Sequence, residues 1–301
     1  MKRKIIRLGT TTQVFSLPAK WSQKYGVKPG DELEMEEYGN KLIISTQKSI
    51  SIAGKSIDLT KLSTLLKRIV GAHYIAGYDE LKITVGDIAK SRQIQARAKD
   101  FIGLSVVNQG KDFVELKEIS SANSESFEPI MRRVFLLLLS IGEESEKAIN
   151  SSETDLEYLN DLESNINNFT DYCFRIINKR GFGENKLMNG TYCVLNNLEL
   201  IGDAYKRIIQ YIGEHRIRLN PGERQAYSDI NRLFKDLYEL YYDFSYEKAT
   251  RVACARDDII KRLSTRQKNA RSAKEAVLLE RLESLADLMI NTLGHVLVIK
   301  T

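Results

Sequence analysis

The sequence is poor in proline and cysteine. Its 301 residues include only four prolines and three cysteines, and so few prolines favour a largely helical chain, because proline interrupts helices. The cysteines, which are Cys173, Cys193 and Cys254, form no C-x-x-C pair and are odd in number. This usage predicts reduced, buried thiols in a cytosolic protein.

Long hydrophobic runs are also missing. The longest purely aliphatic and aromatic run, Val134 to Leu139, is too short to span a bilayer. The start, Met1 to Arg7, lacks the uninterrupted apolar core of a signal peptide. We therefore expect a soluble, cytoplasmic protein with no membrane insertion.

Enzyme signatures are absent from the sequence as well. It contains no GxxxxGK[ST] phosphate loop and no G-x-S-x-G elbow. Neither His215 nor His295 has a glutamate three residues before it, as a di-iron bundle requires. His73 stands alone and is expected to be structural. We predict that the protein is not an enzyme.

The most informative stretch runs from Val14 to Asp31 and reads VFSLPAKWSQKYGVKPGD. Apolar, alternating segments flank it on both sides. Pro18 is expected at a first helical position with Ser16 as a possible cap, and Gly26 is expected to end the helix. The pattern predicts two strands, a short helix and two more strands. A unit this small buries little apolar surface, so we expect it to pair with a second copy.

The same region is strongly basic. From Lys2 to Lys28 there are seven Lys or Arg and no Asp or Glu. The net charge of the chain is only +5, so the imbalance is local. It points to a polyanionic partner, and we expect that partner to be DNA.

Residues Ile6 to Ile44 resemble the SpoVT–AbrB swapped-hairpin domains. The shared features are a Thr-rich loop, SLPAKW from Ser16, GVKPGD from Gly26, and a final hydrophobic strand pair. The resemblance implies an obligate dimer that binds double-stranded DNA or, as in antitoxins, DNA and a toxin. The expected DNA-contacting residues are Lys2, Arg3, Lys4, Arg7, Thr11, Thr12, Gln13, Lys20 and Lys24.

The middle region, residues 48–120, reads as a small α+β domain with a ferredoxin-like outline. Strand-like alternation and helical periodicity follow one another without any catalytic constellation. The expected elements are extended segments at 50–52 and 56–59, a helix at 59–70, a loop at 74–78, a strand at 81–85, a helix at 88–102, and a hairpin of 104–107 with 113–116.

From Ser121 onward the pattern is helical to the end. The pattern is broken at residues 180–183 and 220–222, and more weakly near Ser151 and at residues 244–245, and it contains six helices that fall into two sets of three. This repeat predicts two three-helix bundles in tandem, 121–219 and 220–301, after a DNA-binding domain at 1–47. The expected helices are 126–150, 153–180, 188–215, 222–243, 246–268 and 271–300.

Acidic pairs four residues apart occur on three of these helices, at Glu157 and Asp161, Glu199 and Asp203, and Glu283 and Asp287. Like charges at this spacing cost about 0.2–0.5 kcal/mol in an isolated helix. Either a bound cation or Lys and Arg from a neighbouring helix must offset that cost. Carboxylates without His or Cys favour Mg²⁺, Mn²⁺ or iron, although such pairs are also common on solvated faces.

The helical region resembles PhoU proteins, which regulate phosphate uptake. The third helix of each half carries L-E-x-x-[GA]-D, and the run from Asp155 to Glu163 looks like their second-helix signature. Tyr74–Asp79 and Ile102–Val107 look like the linker that joins AbrB-type domains to PhoU-like regions in archaeal proteins. The resemblance implies metal ligands (Mg, Mn, Fe or Zn) at Glu199, Asp203, Glu283 and Asp287.

Two functions follow as hypotheses. The first is a dimeric, DNA-binding regulator of phosphate uptake with a helical sensor domain. The alternative is an adaptor that docks on a phosphate-transporter ATPase or a kinase through its helices. A basic stretch from Arg251 to Lys274 is either a solvated helix face or a second surface for nucleic acid or phosphate.

Overall fold

A computed structural model describes residues 2–38, 41–46, 54–120, 127–151, 156–180 and 185–301. The chain divides into two compact units, Met1–Ser51 and Ile52–Thr301. Together they form a multidomain α+β protein, with a small region of strand hairpins followed by a mostly helical region. The sequence also predicts a turn at residues 38–40 between the last two strands. Residues 39–40 of this turn, the extended segment 50–52 and residues 181–183 of the helix break lie outside the described residues.

The N-terminal unit consists of two hairpins and a short helix. Strand β1 (Ile6–Leu8) pairs antiparallel with β2 (Thr12–Val14), and β3 (Glu34–Tyr38) pairs antiparallel with β4 (Lys41–Ser45). Helix α1 (Ala19–Tyr25) lies between the hairpins in sequence. The predicted order of elements is therefore confirmed.

The start of α1 differs from the expectation in one respect. Pro18 is the residue before the helix, with φ −64° and ψ 123°, and no side chain caps it, so Ser16 is not a cap. The Pro18 carbonyl instead accepts hydrogen bonds from the backbone N–H groups of Trp21 and Ser22. At the other end Gly26 adopts φ 63°, a left-handed conformation that glycine accepts without steric cost.

Residues 54–120 form a four-stranded sheet covered by two helices. The strand order is β5-β6-β8-β7, with β5 parallel to β6 and the other neighbours antiparallel. A parallel pair is incompatible with the ferredoxin-like outline, whose sheet is antiparallel, so that expectation is wrong. The elements are β5 (Lys55–Asp58), α2 (Leu66–Ile75), β6 (Glu80–Thr84), α3 (Ile88–Ala98), β7 (Leu104–Gln109) and β8 (Phe113–Glu118).

Helix α2 begins seven residues later than the expected helix at 59–70. The Leu59 N–H donates to the Thr84 carbonyl, and the Thr60 N–H donates to the Asp58 carboxylate, so the chain beyond β5 turns instead of coiling. The helix then extends to Ile75, into the segment that was expected to be a loop. Apolar residues at 59 and 62 lie at helical spacing, but tertiary hydrogen bonds decide their conformation.

The six predicted helices of the C-terminal region are confirmed within a few residues at each end. Helices α4, α5 and α6 pack on one another, as do α7, α8 and α9, and the pairs α6–α9 and α4–α7 join the two sets. Helices α6 and α9 each bury a stripe of apolar side chains in this shared core, made up of Leu195, Leu198, Ile201, Tyr205 and Ile208 on α6 and of Leu279, Leu282, Leu285, Met289, Leu293 and Val296 on α9. The bounds are α4 (Phe127–Ser151), α5 (Leu156–Arg180), α6 (Asn185–His215), α7 (Pro221–Tyr242), α8 (Tyr246–Gln267) and α9 (Ala273–Lys300).

Helix α9 is long and apolar enough to cross a membrane by length and composition. Core helices of soluble proteins share this composition, because they are apolar on more than one face. Ten of its residues, among them Leu282, Leu285 and Met289, are buried against neighbouring helices. Within the described helices, it is the one candidate of this kind.

A buried ionic cluster fixes α5 to the α+β region. The guanidinium of Arg175, which is 1% exposed, donates to the carbonyls of Tyr74 (2.8 Å) and Tyr78 (3.0 Å). It also lies 3.2 Å from Asp79 and 3.1 Å from Glu118. Lys179 completes the cluster at 2.6 Å and 2.8 Å from the same two carboxylates. Two cations thus face two carboxylates, so the cluster is neutral overall.

Candidate nucleic-acid interface and acidic cluster

The first candidate site lies on the hairpin of β1 and β2. Arg7 and Gln13 are cross-strand partners in this hairpin, so their side chains lie on the same face. Ile6 pairs with Val14 and Leu8 pairs with Thr12, which places these four side chains on the opposite face. The hairpin therefore has a polar face with Arg7 and Gln13 and a mainly apolar face that includes Thr12.

Gly9 opens the turn of this hairpin with φ 74°, and Thr11 is exposed within it. The Arg7 guanidinium donates to the Thr10 carbonyl. This contact holds the arginine beside the Thr-rich loop. Arg7, Thr11 and Gln13, expected from the sequence to contact DNA, are thus brought together by one tight hairpin.

The remaining basic candidates are all exposed. Lys2, Arg3 and Lys4 precede β1, and Lys20 and Lys24 lie four residues apart on α1, which places them on one side of that helix. Lys24 also lies over the Tyr25 ring, 5.1 Å from its centroid. Because the described residues up to Lys28 include no carboxylate, these cations have no acidic partner in their own segment.

The apolar side chains of this unit are exposed too. Ile6 is 60% exposed, Leu8 63% and Met35 62%. Among the side chains described at residues 2–35, Leu42 and Ile44, no hydrophobic one is buried. Met35 and Leu42 share one face of the second hairpin, because Met35 pairs with Ile44 and Glu37 with Leu42. A single copy therefore leaves the apolar faces of both hairpins in water.

The second candidate site is a group of carboxylates between α5 and α6. Glu199 of α6 lies near enough to Asp171 and Glu163 of α5 for their charges to raise its pKa, and the charge of Glu163 also raises the pKa of Asp203. Burial and then the charges of Asp171, Asp203 and Glu163 raise the pKa of Glu199 to about 7. We call these four residues, Asp171, Glu163, Glu199 and Asp203, the acidic cluster.

Basic side chains surround the acidic cluster. Arg97 of α3 lies 2.6 Å from Asp171, Lys206 lies 2.9 Å from Glu163, and Arg207 lies 2.7 Å from Asp203. Glu199 has no hydrogen bond or ion pair among the residues that the structure describes. Burial also raises the pKa values of Asp171 and Asp203, while Arg97 and Arg207 act to lower them.

The other predicted metal ligands lie in different surroundings. Glu157 and Asp161 are exposed on the outer face of α5, whereas Glu163, two residues further on, is buried and faces α6. Asp287 is paired with Arg256 of α8, and Glu283 accepts a hydrogen bond from Ser264 of α8. For this pair, Arg256 of the neighbouring helix α8 supplies a positive charge, which is one of the two alternatives that the sequence allowed.

Within the described ranges, no group of three or more His, Cys, Asp or Glu side chains converges closely enough to hold a metal ion. The metal ligands predicted from the sequence therefore stay a prediction. Sequence reasoning missed Asp171 as a member of the acidic cluster. The spacing of Asp171 and Glu163, eight residues apart on α5, was the available signal, since it places both on one helix face.

His73 has the structural surroundings expected of it. Its Nδ1 lies 2.8 Å from the Ile69 carbonyl, and its ring lies 5.5 Å from that of Tyr78. Neither contact resembles a metal or catalytic site.

Comparison with known proteins identifies the N-terminal unit. Residues 6–51 match the family described as "Antidote-toxin recognition MazE, bacterial antitoxin". This region is therefore a domain of the MazE/AbrB type, a class of domains that bind DNA and dimerise, and it is not enzymatic. The PhoU resemblance of the helical region receives no support from this match and stays a prediction. Neither the curated proteins nor the solved structures include a significant match.

Proposed function

We propose that the protein is a cytoplasmic, dimeric, DNA-binding transcriptional regulator of phosphate uptake. The observation that carries the DNA-binding part is the N-terminal domain, which has seven Lys or Arg before its first carboxylate. It also matches a family of dimeric DNA-binding domains. Lys2, Arg3, Lys4, Arg7, Lys20 and Lys24 would contact phosphates, which position a protein on the duplex. Thr11, Thr12 and Gln13 would lie close to base edges.

Dimerisation of this domain is supported by its exposed apolar faces. Burying a leucine side chain is worth about 1.5–3 kcal/mol, and a second copy is the natural partner for faces that recur in every chain. A dimer also doubles the number of basic segments, since each copy contributes the same exposed cations. Thr12 is on the Leu8 face, so in the dimer it would lie nearer to the partner than Arg7 and Gln13 do.

The link to phosphate uptake rests on the resemblance of the helical region to PhoU proteins. That region would sense a ligand, or bind a phosphate-transporter ATPase or a signalling protein, and alter the DNA affinity of the dimer. The cluster around Arg175 supports such a role, because it connects α5 directly to the α+β region. A displacement of α5 would therefore displace the β5–β8 sheet of the α+β region through this cluster.

A divalent cation or iron on the helices is part of the same proposal. Glu199 and Asp203 fit best, because Glu199 is half-buried among carboxylates and no cation is bonded to it within the described chain. Oxygen ligands of this kind suit Mg²⁺, Mn²⁺ or iron. The pair of Glu283 and Asp287 fits less well, since both members have partners: Ser264 donates to Glu283 and Arg256 pairs with Asp287. Glu157 and Asp161 would need a partner side chain from elsewhere.

Fluorescence anisotropy tests the DNA-binding part. The full chain is titrated onto DNA from upstream of phosphate-transporter genes and onto scrambled DNA, at about 50 and 200 mM salt. We expect binding to the promoter to be at least about tenfold tighter, or 1.4 kcal/mol. The variant Arg3→Ala/Arg7→Ala should lose most of this affinity.

The matched control removes two exposed cations from the large unit, Lys111→Ala/Arg133→Ala, and should bind like the unmodified chain. Equal losses in both variants would contradict the assignment of Arg3 and Arg7. Binding that depends on salt but not on sequence would contradict a promoter-specific regulator. No binding at either salt would instead favour the adaptor hypothesis.

A further inference from the structure

Two turns of the helical region lie at the same end of the bundle. One joins α6 to α7 and the other joins α8 to α9. The Tyr211 hydroxyl near the end of α6 donates to the Lys274 carbonyl at the start of α9 (3.4 Å), and Arg281 of α9 lies over the Tyr211 ring, 4.5 Å from its centroid. Residues distant in sequence therefore form one continuous surface.

Exposed cations dominate this surface. None of them forms an ion pair with any carboxylate in the part of the chain that the structure describes. Residues 264–274 contain no Asp or Glu at all. We call this group the basic end, and it consists of Arg216, Arg218, Lys268, Arg271 and Lys274.

The nearest carboxylates point inward and are already bonded. Glu223 is 3% exposed and accepts from the Asn220 N–H at the start of α7 (2.8 Å). Glu275 is 9% exposed, accepts from the Arg271 N–H (2.6 Å) and pairs with Arg266 (2.9 Å). Both residues complete helix starts, so they do not neutralise the surface. Glu214 is the exposed carboxylate beside these turns.

Within the basic stretch of the sequence, the structure distinguishes several paired cations from the cations of the basic end. Arg256, Arg262 and Arg266 are paired with carboxylates of neighbouring residues or helices. Lys268, Arg271 and Lys274 have no such partner among the described residues. The latter three join Arg216 and Arg218 from another part of the chain, and sequence alone did not connect them.

We propose that the basic end binds the phosphate backbone of DNA, as a second contact surface beyond the N-terminal domain. The proposal rests on the proposed function, in which the chain binds DNA. The unpaired Arg and Lys side chains suit phosphate contacts, which supply affinity without reading sequence. An anionic membrane would also favour exposed apolar side chains, but no large apolar side chain of these two turns is exposed.

The experiment measures the salt dependence of DNA binding by the full chain. The variant replaces all five residues of the basic end with glutamine: Arg216→Gln, Arg218→Gln, Lys268→Gln, Arg271→Gln and Lys274→Gln. Each phosphate contact contributes about 0.9 to the slope of log affinity against log salt concentration. The slope is negative, and we expect its magnitude to decrease by about 2 to 4 in this variant. The preference for promoter over scrambled DNA should persist, since these contacts do not read bases.

The control removes the same total charge from exposed positions of the α+β region: Lys67→Gln, Arg68→Gln, Arg92→Gln, Lys99→Gln and Lys111→Gln. Its slope should stay close to that of the unmodified chain. An unchanged slope in the basic-end variant would overturn the proposal, as would an equal fall in the control. Binding of the same variants to vesicles that contain phosphatidylserine tests the membrane alternative. Lost vesicle binding with an unchanged DNA slope in the basic-end variant would assign the basic end to an anionic membrane and overturn the proposal.

Failure of the proposed function gives a different result. In that case the unmodified chain itself binds no DNA, or Arg3→Ala/Arg7→Ala leaves the affinity for promoter DNA unchanged. Thermal unfolding of both five-residue variants should match that of the unmodified chain, because every replaced side chain is exposed.

Discussion

In the N-terminal domain Ile6, Leu8, Met35 and Leu42 are exposed on the two hairpins, whereas in the unit from Ile52 to Thr301 more than fifty apolar side chains are buried. The two regions also treat charge differently. In the first, the cations are exposed and have no carboxylate in their own segment. In the second, Arg175 and Lys179 are buried against Asp79 and Glu118. A region that completes itself can bury and neutralise its charges, while a region built for partners leaves both apolar and basic surfaces open.

The largest expected effect comes from breaking the self-contained side of this comparison. Arg175→Met replaces the guanidinium with an unbranched apolar side chain. Lys179 is then the one cation of the cluster that faces both Asp79 and Glu118. Removing one member of a buried ionic cluster costs about 3–5 kcal/mol, so we expect a loss of that order in the free energy of unfolding. Urea denaturation of the full chain measures it.

Arg133→Met serves as the control, since Arg133 is exposed on α4, and should change stability by less than about 0.5 kcal/mol. Adding Glu118→Gln to Arg175→Met should restore part of the loss by removing an unpaired charge. A small effect of Arg175→Met would show that the cluster is not needed to hold α5 on the sheet.

The next prediction tests the exposed apolar faces of the N-terminal domain. Leu8→Asp/Leu42→Asp places charges on the exposed apolar faces of the two hairpins. If a second copy covers these faces, the two substitutions together cost at least about 1.5 kcal/mol in each chain, or about 3 kcal/mol in a symmetric dimer. The dimer dissociation constant should then rise by a factor of about 100, as sedimentation velocity over a range of protein concentrations would show.

A matched control is Val107→Asp, which alters an exposed apolar side chain in the large unit (52% exposed). It should leave the oligomeric state unchanged. A dimer that survives Leu8→Asp/Leu42→Asp would mean that the hairpins do not form the interface.

The smallest expected effect concerns the acidic cluster. There the large unit resembles the N-terminal domain, because the charge of Glu199 has no oppositely charged partner among the described residues. The folded protein raises the pKa of Glu199 from 4.5 to about 7, so the folded state binds an extra proton between these pH values. Stability is therefore expected to fall as pH rises from 4.5 to 7, by on the order of 1–2 kcal/mol after allowance for partial exposure.

Glu199→Gln should remove this loss and be more stable than the unmodified chain at pH 8, whereas Asp161→Asn, at an exposed carboxylate of α5, should keep it. Thermal unfolding between pH 4.5 and 8 makes the comparison. If Mn²⁺ binds the acidic cluster as proposed, it should stabilise the unmodified chain at pH 8 and have less effect on Glu199→Gln. An identical pH profile in the two variants would contradict the assignment to Glu199.

Local pattern was sufficient for most elements of the fold. The helices from α4 to α9 follow their apolar periodicity, and the N-terminal strands follow alternation and the residues around Gly26. The errors arose where distant hydrogen bonds compete with local preference. At Leu59 a bond to Thr84 overrides helical spacing, and the parallel pairing of β5 with β6 cannot be read from either strand alone.

The candidate sites divide in the same way. The basic N-terminal segment is visible in composition, since its cations lie close together in sequence. Glu157 and Asp161 looked equivalent to Glu199 and Asp203 by spacing, but the rotation of α5 directs Glu163 and Asp171 toward α6 instead. Which face of a helix meets its neighbour depends on packing, and spacing within one helix does not determine it.

The sequence by itself determined where the hairpins and most helices form, and that the first 28 residues carry an excess of positive charge, because these properties depend on residues close together in the chain. Only the tertiary structure decided that Arg175 meets Asp79 and Glu118, which lie 96 and 57 residues away. It also decided that Arg216 and Arg218 share a surface with Lys268, Arg271 and Lys274. Burial and electrostatic interaction depend on distance in space, and packing of the helices is what fixes that distance.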